Sequence, residues 1–283
     1  MEKKIIITGA SGFLGKNLLN YLILDNSFTI YALCRNIDKL KEYKTIHKIS
    51  VDLFDSSQME KVVSSIQAEY IIHTAWITKH GVYQTSLENF DWLKCSYDLA
   101  IAFKKNGGKY FLGIGSCLEY ELNNNSNTLC SSMTPRNPST IYGKSKNYCF
   151  EIMRDLFKES NIKFNWARIF FMVGENEPRD KLISSTIYKM LNKETIECKS
   201  PNSVYDFIDV NNVAEQLVCI IKNNLLTTVD YNICTGIGTS VKTLIETILL
   251  TDNYPLGKLK FPLNPPLPNY IVGSKNQVDL LKR

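Results

Sequence analysis

In the stretch STIYGKSKNY, residues 139–148, Tyr142 stands four residues ahead of Lys146. On a helix the two share one face. A free phenol has a pKa of about 10 and exchanges protons poorly near neutrality. An ammonium beside it stabilises the phenolate and brings that value down. The pair reads either as a general acid with its tuner or as an ordinary solvated helix face, and ten residues do not decide between them. The first reading needs two further parts: a group that orients the substrate oxygen, and a redox cofactor beside the phenol. Ser116, in GIGSCLEYE, ends an apolar run and offers a hydroxyl for the first.

For the cofactor, TGASGFLG (residues 8–15) spaces Gly9, Gly12 and Gly15 three apart, with Ser11, Phe13 and Leu14 among them. This is a one-residue variant of G-x-G-x-x-G, placed between a short β-branched run and a helical pattern. Such glycines let the backbone turn tightly and approach a pyrophosphate, whose charge meets the helix N-terminus. The next apolar run ends ALCRN. A carboxylate there would bind the ribose 2′-hydroxyl of NAD, whereas Arg35 suits a 2′-phosphate. NADP (as NADPH) is therefore the expected cofactor, with NAD the alternative. VDLFD puts Asp52 and Leu53 at a strand end, where an adenine ring would lie.

These residues need a scaffold, and the patterning supplies one. KIIIT, FTIYALCR, HKISVDL, YIIHTAW, KYFLGIGS and FNWARIFFMVG read as six strands. Between them, GFLGKNLLNYLILD, MEKVVSSI, ENFDWLKCSYDLAIAFKKNGG and the segment from Tyr142 to about Ser160 read as helices. Alternating strands and helices give an α/β fold, a Rossmann-type doubly wound parallel sheet with helices on both faces. Ser116 then falls at the carboxyl edge of the sheet, where such folds bind ligands. After about residue 174 the pattern loosens and ends in a proline-rich tail. The expected division is a dinucleotide-binding domain over 1–174 and a smaller substrate-binding lobe over 175–283, interleaved with the first.

The 283 residues are 44% hydrophobic and 22% charged, with a formal net charge of +5. The excess is spread along the chain without a run of like charges, so no nucleic-acid partner is expected. No stretch reaches the roughly 18 apolar residues of a membrane span. The apolar run of MEKKIIITGA is too short for a signal peptide. Eight cysteines without a Cys-x-x-Cys pair, and three histidines, indicate neither a metal site nor a disulfide framework. They read as buried thiols in a reducing, cytoplasmic setting.

Taken together, TGASGFLG, GSCLEY and YGKSK resemble the extended short-chain dehydrogenase/reductase family, specifically its NAD-dependent epimerase/dehydratase branch acting on nucleotide sugars. HTAW looks like that family's H-x-A-A segment, YDFIDVNNVA like R-D-F-I-x-V-x-D-V-A, and YNICTG like Y-N-x-G-x-G. The likeness covers almost the whole chain. It implies that Tyr142 is the general acid/base, Lys146 its tuner and ribose ligand, and Ser116 the hydrogen-bond partner of the sugar oxygen. Gly9, Gly12 and Gly15 would bear the pyrophosphate, and Thr74, Ala75 and Trp76 would line the nicotinamide side. Asn89 matches a recurring asparagine of structural role. The helices around 88–105 and 142–160 would pair with their copies in a homodimer.

Departures from the family pattern narrow the reaction. Sugar 4,6-dehydratases carry an Asp-Glu pair directly after the serine or threonine, where this chain has Cys117 and Leu118. The epimerising cysteine of GDP-fucose synthases would fall on Leu118, so Cys117 is assigned no catalytic role. Redox chemistry alone remains. The expected activity is an NADPH-dependent reductase of a 4-keto-6-deoxy nucleotide sugar. The alternatives are a nucleotide-sugar 4-epimerase that retains NAD, and a reductase of a non-sugar ketone. A regulator on the same fold would tend to lose the tyrosine. Phe171, Tyr205 and Trp76 replace a frequent Asn, Arg and Ala, so substrate identity does not carry over. Lys79, His80 and Tyr83 sit on a polar loop near the nicotinamide and are candidate substrate contacts. Arg168 would bind a phosphate or brace the sheet edge.

Overall fold

The computed structural model describes residues 3–122, 129–131, 133–222, 229–251 and 254–275. The chain opens with β1 (Lys3–Thr8), α1 (Phe13–Asp25), β2 (Phe28–Cys34) and β3 (His47–Ser50). It continues through α2 (Ser56–Ile66), β4 (Tyr70–His73), α3 (Glu88–Lys105), β5 (Tyr110–Ser116), α4 (Ile141–Lys158) and β6 (Lys163–Ile169). Local signals set the helix ends. Asp55 accepts from the Gln58 N–H at 2.9 Å to start α2, and Thr140 accepts from the Gly143 N–H at 3.0 Å to start α4. Asn26 and Gln67, both left-handed at φ 50°, stop α1 and α2.

Within the central sheet the strands are parallel, and alternate residues face opposite layers. Ile5 and Ile7 of β1 point into one core, with Leu18, Leu22, Leu112 and Ile114. Ile6 points into the other, with Ile71, Phe103, Phe111 and Phe150. Burial on both faces is what the near-continuous apolar strands require.

After β6 come β7 (Phe171–Val173), α5 (Leu182–Leu191), β8 (Ile196–Glu197), β9 (Val204–Asp209), α6 (Val210–Lys222) and β10 (Asp230–Ile233). The described chain closes with β11 (Gly238–Ser240), α7 (Val241–Thr251), β12 (Leu259–Lys260) and β13 (Tyr270–Ile271). The central sheet runs β10-β6-β5-β4-β1-β2-β3. Strand order therefore reverses between β1 and β4, the switch point at whose carboxyl edge such sheets bind ligands.

FNWARIFFMVG, read from sequence as one strand, is two. β6 stays in the central sheet beside β5 and β10, while β7 pairs with β9 in the small sheet. Phe170, between them, donates its N–H to Ile233 at 3.1 Å and buries its ring with Tyr120, Cys130, Cys234 and Ile271. Apolar continuity could not show that the chain changes partners there. The described residues after 174 are divided among the sheets: α6 joins the core under β1, β10 extends the central sheet, β9, β11 and β13 join β7 in the small one, and β8 pairs with β12. Asp206 of β9 ties the parts together, accepting N–H bonds from Thr235 at 2.8 Å and Gly236 at 2.9 Å.

Candidate active site

The glycine loop leaves β1 at this switch point. Gly9 adopts φ +63°, and a Cβ there would meet the Ala75 backbone nitrogen at 2.8 Å. The Gly12 N–H closes the turn on the Gly9 carbonyl at 2.9 Å. Gly12 then caps α1 without a side-chain hydrogen bond, so the first N–H groups of the helix, from Phe13 onward, are left for a ligand. The Leu14 side chain is a core residue. Ser11 hydrogen-bonds the Cys34 thiol at the end of β2, which links the loop to the neighbouring exposed Arg35. Asp52 is exposed and accepts from the Phe54 N–H at 3.1 Å. Leu53 is buried, with its carbonyl accepting from Cys95. A phosphate-bearing dinucleotide fits these main-chain N–H groups, and the tight turn that presents them has no room for a Cβ at Gly9 or Gly15, where it would meet the Ala75 and Ala10 backbone.

Next to β1, the β4 terminus is held by a buried chain. Thr8 Oγ1 lies 2.7 Å from His73 Nδ1, and His73 Nε2 lies 2.8 Å from Ser96 Oγ. Burial, then the Lys146 charge, pushes the imidazole down to about 3, so it stays neutral. Thr74 donates to the Thr8 carbonyl at 2.7 Å, fixing the turn that presents Ala75. Trp76, expected to line the nicotinamide side, packs in one cluster with Tyr142 and beneath the Lys146 ammonium. Its Nε1 donates to Asn89 Oδ1 at 2.8 Å, and it is buried. Asn89, in turn, donates to the carbonyls of Tyr83 and Ser86, each at 2.7 Å. The asparagine read as structural thus clamps the whole loop after β4.

Ser116, Tyr142 and Lys146 come together at the end of β5 and the first turns of α4, and all three are buried. Ser116 is fixed through its N–H, which donates to Glu119 Oε1 at 2.7 Å, while its hydroxyl accepts from the Leu118 N–H at 3.2 Å and hydrogen-bonds the Tyr142 phenol. Burial, joined by neighbouring Tyr83, drives the phenol well above its ordinary value, and the Ser116 bond opposes them. Burial, and not the Lys146 charge expected from the sequence, governs this phenol. The Lys146 ammonium donates to the Ile114 carbonyl at 2.8 Å and lies over the Trp76 ring. Burial lowers it to about 8. Cys117 is raised well above its ordinary value by burial, which leaves it inert as a nucleophile.

The substrate candidates separate. Tyr83 packs edge-on against Tyr142, with ring centroids 4.8 Å apart. Lys79 and His80 are exposed on the same loop. Arg168 does not face a substrate. Its side chain is 1% exposed, donates to Glu119 at 2.7 Å and pairs with Asp230. Its guanidinium braces the junction of β5, β6 and β10, the second of the two sequence expectations. Two partners were missed in the sequence. Glu119 anchors both Ser116 and Arg168, and only its three-residue offset from Ser116, a capping-box spacing, signals it. Lys181, whose ammonium sits 5.3 Å from the Tyr83 centroid, has no local signal at all.

Residues 5–234 match the family described as "NAD dependent epimerase/dehydratase family". GDP-6-deoxy-D-talose 4-dehydrogenase of Aggregatibacter actinomycetemcomitans is 28% identical over 255 residues, 86% of this chain and 78% of that protein. dTDP-6-deoxy-L-talose 4-dehydrogenase (NAD(+)) of the same organism is 24% identical over 284 residues, 92% and 94% of the two chains. Among solved structures, UDP-N-acetylglucosamine 4-epimerase of Methanobrevibacter ruminantium superposes with a TM-score of 0.84 at 20% identity, covering 100% of this chain and 92% of the other. With the serine, tyrosine and lysine assembled beside a glycine cradle, the chain belongs to the NAD-dependent epimerase/dehydratase family and is an NAD(P)-dependent oxidoreductase.

Proposed function

We propose that the protein reduces the 4-keto group of a 6-deoxy nucleotide sugar with NADPH. The observation that carries this reading is the hydrogen bond between Ser116 and Tyr142 at the carboxyl edge of the sheet, with Lys146 one turn further along the same helix. A phenol held above its ordinary value stays protonated at neutral pH, the form that carbonyl reduction consumes. The two relatives described above are named as 4-dehydrogenases of 6-deoxy nucleotide sugars, the reverse of the same redox step.

In this reading the bound dinucleotide supplies the hydride. The backbone of Gly9, Gly12 and Gly15 and the start of α1 hold its pyrophosphate, Arg35 its 2′-phosphate, and Lys146 its ribose hydroxyls. Ser116 and Tyr142 grip the carbonyl oxygen, and Tyr142 gives up its proton to that oxygen. Tyr83, with Lys79 and His80 on the same loop, meets the sugar side. The name of the second relative carries NAD(+), which favours a second reading in which NAD replaces NADP. A homodimer through α3 and α4 belongs to the same proposal, as does a cytoplasmic location. Among the described residues no helix is long and apolar enough to cross a membrane.

The test is NADPH and NADH consumption with 4-keto-6-deoxy sugars linked to UDP, GDP, CDP and dTDP. Turnover with one of them is expected. Consumption with none would refute the sugar reading in favour of a non-sugar carbonyl.

A further inference from the structure

Lys146 is held by more than its place on α4. Its ammonium lies 3.7 Å from the centroid of the Trp76 ring and 5.8 Å from that of Trp166, and it donates to the Ile114 carbonyl at 2.8 Å. An ammonium has three N–H donors, and a buried one needs a substitute for water on each side. The negative face of an indole is such a substitute, stronger when the pair is dry. The Trp76 ring is not free to drift. Its Nε1 is bound to fully buried Asn89, and Trp92 stacks beside it at 6.3 Å.

We propose that Trp76 is a positioning residue of the active site, whose indole face holds the Lys146 ammonium charged and in register with Tyr142. This rests on the role given to Lys146 above. Besides the two indoles, the polar and titratable groups around Lys146 come from β4, β5, the turn after β5 and α4. His73 of β4 is neutral, and Ile114 of β5 offers a carbonyl. Glu119, just beyond β5, offers a carboxylate already engaged by Ser116, Trp166 and Arg168. Cys149 and Tyr142 lie on α4 itself, each pushed by burial toward its uncharged form. The indole therefore bears on the amine at close range in favour of the charged state. Removing it leaves burial less opposed, and the amine should lose its proton at lower pH.

The test uses the full-length protein carrying 13C at the lysine ε-carbons, without added dinucleotide. One ε-methylene resonance should be displaced by the ring current of Trp76 and vanish in Lys146→Arg. In Trp76→Leu it should return most of the way to the ordinary position and titrate about one pH unit lower. Trp76→Phe, which keeps a π face, should restore much of both. The alkaline limb of kcat/KM should move in parallel. A Lys146 resonance at the ordinary position in the unsubstituted protein would overturn the proposal by itself, even if the leucine variant does not fold. So would a displaced resonance and titration that survive Trp76→Leu. A displaced resonance in a protein that reduces no 4-keto nucleotide sugar would support the positioning and refute the substrate reading.

Discussion

The carbonyl oxygen of Gly9 lies 2.3 Å from where a Cβ on Gly15 would sit, and the Ala10 backbone crowds the same point at 2.7 Å. Neither neighbour can swing aside, since both are main chain. Gly15→Ala must therefore lever α1 off the end of β1. We expect a loss of about 1–3 kcal/mol in stability and about a tenfold or greater loss of dinucleotide affinity. Thermal denaturation with and without NADP measures both, and parental values in the two conditions would contradict the cradle.

Tyr142→Phe removes the hydroxyl and keeps the ring that packs on Tyr83. Dinucleotide binding should change little, while kcat falls by about 10²–10⁴. Retained turnover would reject Tyr142 as the proton donor.

His73 supplies a pH dependence of stability. Its folded value of about 3 is below the ordinary 6.5, so between these limits the unfolded chain binds the extra proton. Its contribution is intact above pH 6.5 and is lost as pH falls toward 3, at up to about 1.4 kcal/mol per pH unit. Denaturant titrations across that window should be steeper for the parent than for His73→Gln. Equal slopes would place the acid sensitivity elsewhere.

Arg168→Met should cost about 3–5 kcal/mol, because Glu119 would keep a buried charge with its main partner gone. Adding Glu119→Gln should return part of that loss. KM for the sugar nucleotide should stay near the parental value where the variant folds; a large rise in KM alone would restore the phosphate-binding role.

Phe90 and Tyr97 of α3 and Tyr148 and Ile152 of α4 are exposed apolar side chains on the helices proposed to pair between copies. Ile152→Glu should shift the protein from dimer to monomer in sedimentation. A monomeric parent would remove the dimer from the proposal.

The parts of this site written in local order were readable. Glycines between a strand and a helix, and a tyrosine four residues before a lysine, are patterns whose geometry follows from the backbone alone. What the chain folds around them was not. Nothing near Tyr142 in sequence tells that its pKa is governed by burial rather than by the lysine. Nothing beside Trp76 tells that Asn89, thirteen positions on, holds its indole nitrogen. Arg168 reads equally as a phosphate ligand or a brace until Glu119 and Asp230, from two other segments, enclose it. In each case what decides the side chain's state comes from outside its local stretch.

One residue, Phe170, is all that separates the last rung of the large ladder from the first rung of the small one. With no slack between them, a wide clamshell motion would have to peel apart one set of strand pairings. Adaptation to a different sugar should therefore proceed by exchanging side chains such as Phe171 and Tyr205 on a stationary frame, and not by changing how far two lobes swing.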